Sequence, residues 1–349
     1  MLAITLQDLR FRARRFLIAS IGAALVFAMT LLLSGLAAGF SVEINQTVHA
    51  LGAQSWVVAA GASGRMVALS PLSALVVPQV AADPGAGRVG PVVIAPQVAE
   101  VHGAQKSANL IGFIPGDLGA PPIVSGRQVA SNGEAVVDAR LKLGVGGQFT
   151  MNGHHFTVVG TARGLTLLSG VPNAYVTLHD AQAVVFSGRP LLSAVLTAGV
   201  PRTVPAGTAV FTNKRVEQAS LIQMAAGRSS ISSSRFLMWL IAAVIVAALV
   251  YVSALERARD FAVLKALGSS STVLFAGLAV QATLVSLVAA ALGAVMANFM
   301  RGIFAQPVVT PSSAYILLPV SALIIGLLAS LAALRRAVSV DPATAFAGP

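Results

Sequence analysis

Apolar residues run almost unbroken through four stretches of the chain, 16–38, 236–255, 272–300 and 314–334. Each matches or exceeds the roughly 20 residues that a helix needs to cross a bilayer. None has an acid or base in its middle. The pattern therefore predicts four transmembrane helices. The third is longer than a bilayer requires, which tilt or projection would absorb. The first follows Arg10, Arg12, Arg14 and Arg15, as the core of a signal peptide would. Its apolar run exceeds the usual ~7–15 residues of such a core, and we read it as an uncleaved anchor. Ahead of it, Leu2, Leu6, Leu9, Ala13 and Phe16 recur at alternating spacings of four and three. That stripe suits a helix lying along the membrane surface.

Between the first two spans lies a long segment of mixed pattern. Residues 148–151, then Asn152-Gly153, then 154–162 read as a β-hairpin, because Asn-Gly accepts positive φ at both turn positions. Residues 108–114, 134–138, 174–177 and 191–197 also read as strands. Residues 72–82 and 180–186 read as short helices, and 138–143 as another, ended by Gly144. At the edges, 41–51 continues directly from the first span. Residues 213–226 read as a helix leading through Gly227 and a serine-rich stretch into the second span. The two edges would act as stalks on the first two spans, unless 227–234 is a flexible joint.

Composition supports lipid as part of the solvent. The chain is 56% hydrophobic and 10% charged, against about 25% charged in a typical soluble domain. A net charge of +11 raises nucleic acid as a partner. The basic residues are scattered, however, and the aromatics too few for a stacking platform, so we expect no nucleic acid. Cysteine is absent, which leaves no disulfide, thiol nucleophile or Cys-ligated zinc. Nine of the 23 basic residues fall in the N-terminal tail, the loop after the second span and the C-terminal tail. The positive-inside rule puts these in the cytoplasm, with both termini, and the long segment outside.

The expected order is a cytoplasmic amphipathic helix over 1–15, a span over 16–38 and an extracytoplasmic α+β domain over 39–235. A second span over 236–255 precedes a cytoplasmic helix over 256–271. Then come a span over 272–300, an outside loop over 301–313, a span over 314–334 and a cytoplasmic tail over 335–349.

No pattern for catalysis stands out. None of the four lysines follows a glycine, so no P-loop exists to cradle phosphate. There is no Gly-x-Ser-x-Gly elbow and no Ser-x-x-Lys. His154 and His155 are neighbours on a strand and point to opposite faces. His49, His102 and His179 lack partners at ligand spacing. Gly144-Val145-Gly146-Gly147 sits between a helix and a strand, where it reads as a turn. We expect no metal, no bound cofactor and no intrinsic ATPase. Gln281, Ser286 and Asn298 are the polar positions of the third span. They read as helix–helix hydrogen-bonding groups rather than the ionisable site of an ion-coupled carrier.

One cytoplasmic segment departs from a plain positive-inside loop. It reads Glu256-Arg257-Ala258-Arg259-Asp260-Phe261-Ala262-Val263-Leu264-Lys265-Ala266-Leu267-Gly268. Val263, Leu264 and Leu267 share an apolar face, orientation requires neither Glu256 nor Asp260, and Gly268 with three serines stops the helix. Such a face should dock on a cytoplasmic protein.

This segment resembles the coupling-helix signature of MacB/FtsX-type ABC transporter permeases, the group that includes LolC/LolE and DevC. Asp260, Phe261 and Ala262 stand where the usual form has Glu, Ile and Gly. Arg335-Arg336-Ala337, Asp341-Pro342-Ala343 and Ala345-Phe346 resemble the family's terminal motif. The strand and hairpin pattern from Leu143-Gly144 to Gly160, and the one-plus-three spans, are similar too. The resemblance implies a MacB-like outside domain and a separate cytoplasmic ATPase that binds ATP. It also implies a permease homodimer or heterodimer and mechanotransmission to the outside domain. Glu256, Arg257, Arg259, Asp260, Leu264, Lys265 and Gly268 would then contact the ATPase. The implied task is export or extraction of a lipophilic or envelope substrate in the bacterial plasma membrane, with an accessory extracytoplasmic protein as a further partner. Two alternatives are an FtsX-like regulator of a cell-wall hydrolase and a sensing module for antimicrobial compounds.

Overall fold

A computed structural model describes residues 13–67, 71–256, 263, 268, 270–304 and 306–338. They fall into a helical unit, within 13–38, 228–304 and 308–338, and an α/β unit within 39–227 and 306–307.

Among the described residues, four helices are long and apolar enough to cross a membrane. Helix α1 (Ala13–Ala50) has 38 residues, about 57 Å at ~1.5 Å per residue. It is uninterrupted, and its last turns, from Gly39, belong to the α/β unit. Gly52, at φ +71°, follows its end, where only glycine turns the chain back without strain. The other three long helices span Ala225–Glu256, Ser271–Met300 and Ser312–Val338. Residues 227–234 lie inside the first of these, so they form helix rather than the flexible joint considered above.

Small side chains let these helices meet. Ala23, Ala24, Ala28, Ala242, Ala282, Ala289, Ala290 and Ala322 are buried in one apolar cluster with Phe27, Leu31 and Leu32. A Cβ on Gly293 would lie 2.7 Å from the Ala24 carbonyl oxygen and 2.8 Å from Phe27 Cβ, so two backbones touch there. Without a hydrophobic drive between helices in lipid, such close approach supplies the packing energy. Gln281 and Ser286 are buried among these helices, but the Ser286 hydroxyl has no hydrogen-bond partner among the described residues and Asn298 is exposed, so neither of these two makes the interhelical bond expected of it. Phe236, Leu240, Val244, Phe299, Ile316 and Leu328 form part of an exposed apolar belt.

The α/β unit is built on one large mixed sheet. Its strands are β1 (Ser55–Ala59), β3 (Val89–Val101), β4 (Ala104–Phe113), β5 (Ser125–Gly126) and β6 (Glu134–Asp138). They continue with β7 (Gln148–Met151), β8 (His154–Ala162), β9 (Thr166–Leu167), β10 (Val171–Thr177), β12 (Ala194–Thr197) and β13 (Thr208–Thr212). The order is β13-β1-β12-β3-β4-β10-β6-β8-β5, with β7 bridging β3 and β8, and β9 on β10. The pairs β10/β4 and β6/β8 are parallel. Strands β2 (Leu72–Ser73) and β11 (Leu191–Leu192) pair separately.

Alternate residues feed two cores, because side chains alternate across a strand. Val93, Leu110, Val137 and Val176 join one core, beneath the short helices α2 (Val76–Ala81) and α3 (Leu178–Phe186). Ile94, Ile111, Val136 and Tyr175 join the other. That second core is covered by Ile44 and Val48 of α1, by Leu51 just past its end, and by Val216 of α4 (Asn213–Gln223). At Gly112 a Cβ would meet Ala181 Cβ at 2.2 Å, so α3 lies directly on β4.

The predicted hairpin is present, with Asn152 at φ 46° and Gly153 at φ 80°. The Asn152 side-chain amide donates to the Val184 carbonyl at 3.0 Å, which seats the turn on α3. Three expectations need correction. Residues 72–82 are not one helix, because Leu72–Ser73 pair with Leu191–Leu192 before α2 begins. Residues 138–143 hold only a 3₁₀ turn, Ala139–Leu141, closed by Lys142 in the left-handed region rather than by Gly144. Residues 191–197 are two strands, not one, since Ser193 turns to bond both backbone groups of Ile94.

Candidate functional site: the contact segment and the two stalks

The expected ATPase contact begins at exposed Glu256, the last described residue of the helix Ala225–Glu256, now α5. Arg257, Arg259, Asp260, Leu264 and Lys265 lie outside the described residues. Val263 is helical and 43% exposed, which leaves an apolar side chain open to a partner. Gly268 sits in a turn at φ +93°, a conformation that suits glycine at a helix stop. Ser270 then precedes Ser271–Met300, now α6, and its hydroxyl lies 2.7 Å from that of Thr272. Of the terminal motif, Arg335 and Arg336 fall in the helix Ser312–Val338, now α7. Residues 341–346 lie outside the described ones.

The stalks end in the α/β unit through buried polar contacts. Glu43 and Thr47 are four residues apart and therefore share one face of α1. Both are 0% exposed. The Glu43 carboxylate accepts the Gly170 amide at 2.6 Å and the Ser169 amide at 3.3 Å. The Thr47 hydroxyl donates to the Thr166 carbonyl at 2.9 Å. Leu168, Ser169 and Gly170 have φ of 55°, 70° and 88°. Two of them are non-glycine residues in the left-handed region, a conformation that needs outside support. The carboxylate supplies it by gathering amides that the turn aims one way. This turn joins β9 to β10, and β10 lies between β4 and β6 in the sheet. A displacement of the end of α1 therefore acts on the middle of the sheet.

The second stalk is tied to the first. Asn45 Nδ2 and His49 Nε2 both lie 3.3 Å from Glu217 Oε1 of α4. Asn213, at the start of α4, accepts from the Trp56 indole at 2.8 Å and donates to the Ala53 carbonyl at 2.7 Å. Thr212 caps α4 through the Arg215 amide. Arg215 itself lies 3.9 Å over the Phe211 ring, a cation–π contact. Ser220 accepts the Met66 amide at 3.1 Å. Of the two expected stalks, the second is divided by a turn at Met224 between α4 and α5, and sequence reasoning missed Glu43 on the first. The available signal was an acid inside α1, one turn from Thr47.

Elsewhere in the α/β unit, polar contacts serve the fold. The Thr203 hydroxyl, with the amides of Arg202, Thr203 and Gly85, holds the Asp83 carboxyl well below the usual carboxylate range. Arg127 and the Ala130 and Ser131 amides bring Glu134 down to about 2. No group of three potential ligands for a metal occurs among the described residues.

Residues 233–342 match the FtsX-like permease C-terminal family. An uncharacterised ABC transporter permease of Mycobacterium bovis is 36% identical over 349 residues, 100% of each chain. An uncharacterised ABC transporter permease of Mycobacterium tuberculosis is 35% identical over 349 residues, again 100% of each. The periplasmic region of MacB from Actinobacillus actinomycetemcomitans aligns at 14% identity and TM-score 0.36, over 48% of this chain and 93% of that one. The extracellular domain of the noncanonic ABC-type transporter YknZ from Gram-positive bacteria aligns at 14% identity and TM-score 0.32. That alignment covers 42% of this chain and 83% of the other.

Proposed function

The chain belongs to the FtsX-like family of ABC transporter permeases, and from that premise we propose that it is the membrane subunit of a transporter driven by a separate cytoplasmic ATPase. ATP binds the partner. Closure of two ATPases pushes on residues 256–268 of two permease chains. The push moves α1 and α5, and the α/β unit carries it to a lipophilic or envelope substrate outside the plasma membrane. Both termini are cytoplasmic in this arrangement, following the basic residues of 10–15, 257–265 and 335–336.

The observation that carries this reading is the continuity of α1. One helix includes an apolar, membrane-length run and ends inside the core of the α/β unit, gripped by Glu43 and Thr47. A helix resists compression and bending far better than a loop, so it suits force transmission. Arg257, Arg259, Asp260, Leu264 and Lys265 form the proposed ATPase contact, with Glu256 and Gly268 at its ends.

Arg259→Glu tests the contact. The substitution is expected to separate ATP hydrolysis from transport while leaving membrane insertion intact. Full coupled activity in that variant overturns the assignment. Affinity capture on the outside domain, using the intact permease, separates an accessory export protein from a cell-wall hydrolase or a sensor kinase.

A further inference from the structure

Within the helical unit, α1, α5 and α7 enclose a cavity of about 420 Å³, inside the ~300–1,000 Å³ range of small-molecule sites. Its wall is divided. Leu31, Phe236 and Leu317 give it an apolar side. Ser232, Arg235 and Trp239 project from α5 at spacings of three and four, hence from one face. Each carries a hydrogen-bond donor, and none of the three has a hydrogen-bond or ion-pair partner among the described residues. No acidic residue lines the cavity. Trp239 is held edge-on by Phe27, ring centroids 6.0 Å apart, so its indole position is fixed by packing. Arg235 stands at the start of the apolar run of α5, where a cation meets lipid headgroups.

An unpaired guanidinium beside an apolar pocket at headgroup depth calls for a particular ligand. We infer that the cavity binds an anionic amphiphile, its phosphate at Arg235 and Ser232 and the start of its acyl chain against Phe236 and Leu317. The inference rests on the permease reading above, and it names the substrate class as an anionic lipid taken from the surrounding leaflet. The guanidinium geometry favours a phosphate, which it can meet with two parallel hydrogen bonds. A zwitterionic headgroup brings a second cation close to Arg235 and is disfavoured.

The chain has two tryptophans, and Trp56 is only 2% exposed in the α/β unit, which leaves Trp239 as the reporter. The test uses the full chain in nanodiscs containing tail-brominated phosphatidylglycerol or tail-brominated phosphatidylcholine, with tryptophan quenching as the readout. The inference predicts saturable quenching by phosphatidylglycerol, at a mole fraction at least tenfold below that for phosphatidylcholine. Arg235→Gln should remove that tenfold preference, Arg235→Lys should retain most of it, and Trp239→Phe should remove the saturable signal. Equal quenching by the two lipids, or a preference unchanged in Arg235→Gln, overturns the inference. A second copy of the chain seated on this wall would give that headgroup-independent result. The measurement needs no ATPase. A lipid preference without any ATPase partner therefore sinks the transporter reading and spares the site, and the reverse outcome sinks the site alone.

Discussion

Replacing Glu43 by alanine removes the α1 side chain that accepts two amides of the left-handed turn at 168–170. Two charge-assisted hydrogen bonds are lost, each worth about 1.5–3 kcal/mol. They do not count equally. Ser169 is exposed, so water can take over its amide, whereas Gly170 is buried and its amide is left without a partner. The net cost is then about 3 kcal/mol, or roughly a hundredfold in the local opening equilibrium. Hydrogen exchange of the full chain in detergent, read on peptides covering 165–171, should show that loss of protection. Glu43→Gln keeps an oxygen for Gly170 but turns a donor toward the Ser169 amide, so its effect should be intermediate, about tenfold. Exchange at 169 and 170 unchanged in Glu43→Ala would refute the reasoning, because it would mean the turn stands without the carboxylate.

Two further outcomes follow from the packing and the charges. Gly293→Ala should destabilise the helical unit by about 1–3 kcal/mol through overpacking against Ala24 and Phe27. Gly277→Ala in the same helix has no atom within 4 Å to meet and should be neutral or stabilising, which thermal unfolding of the two variants will separate. Glu134 has its pKa lowered from 4.5 to about 2 in the folded protein. Its contribution is therefore fully present above about pH 4.5 and is lost as pH falls toward 2. Glu134→Gln should flatten the acid limb of stability in that window, and its exposed Arg127 partner makes the effect modest.

The four long helices were legible because apolar runs of that length have few other readings, and the Asn152-Gly153 hairpin because its turn chemistry is local. Strands β1 and β3 were missed for a physical reason. Both faces of the sheet are buried, so β3 shows no apolar–polar alternation over Val92–Ala95, and Pro91 and Pro96 argue against a strand. Pro91 nevertheless pairs with Val195 and Pro96 with Asn109. The turn at 138–143 was misread because Asp138 looked like an ordinary helix start, whereas its carboxylate also accepts the distant Leu165 amide. Glu43 was overlooked for the same kind of reason, since its partners lie 126 and 127 residues away. The proposed contact segment 256–268 rests on its resemblance to a family, since charge and an apolar face define docking without naming the partner.

The central claim is that force made on another subunit enters this chain at 256–268. The direct test is to purify the tagged full chain in lipid nanodiscs with its associated subunits and measure stoichiometry and ATP turnover, for wild type and Arg259→Glu. The account predicts equal numbers of permease and a nucleotide-binding subunit, with ATP turnover that depends on the complex and an Arg259→Glu chain that inserts but loses that subunit or its coupling. A permease that purifies without any ATPase, or an Arg259→Glu chain that keeps full coupled turnover, would contradict it.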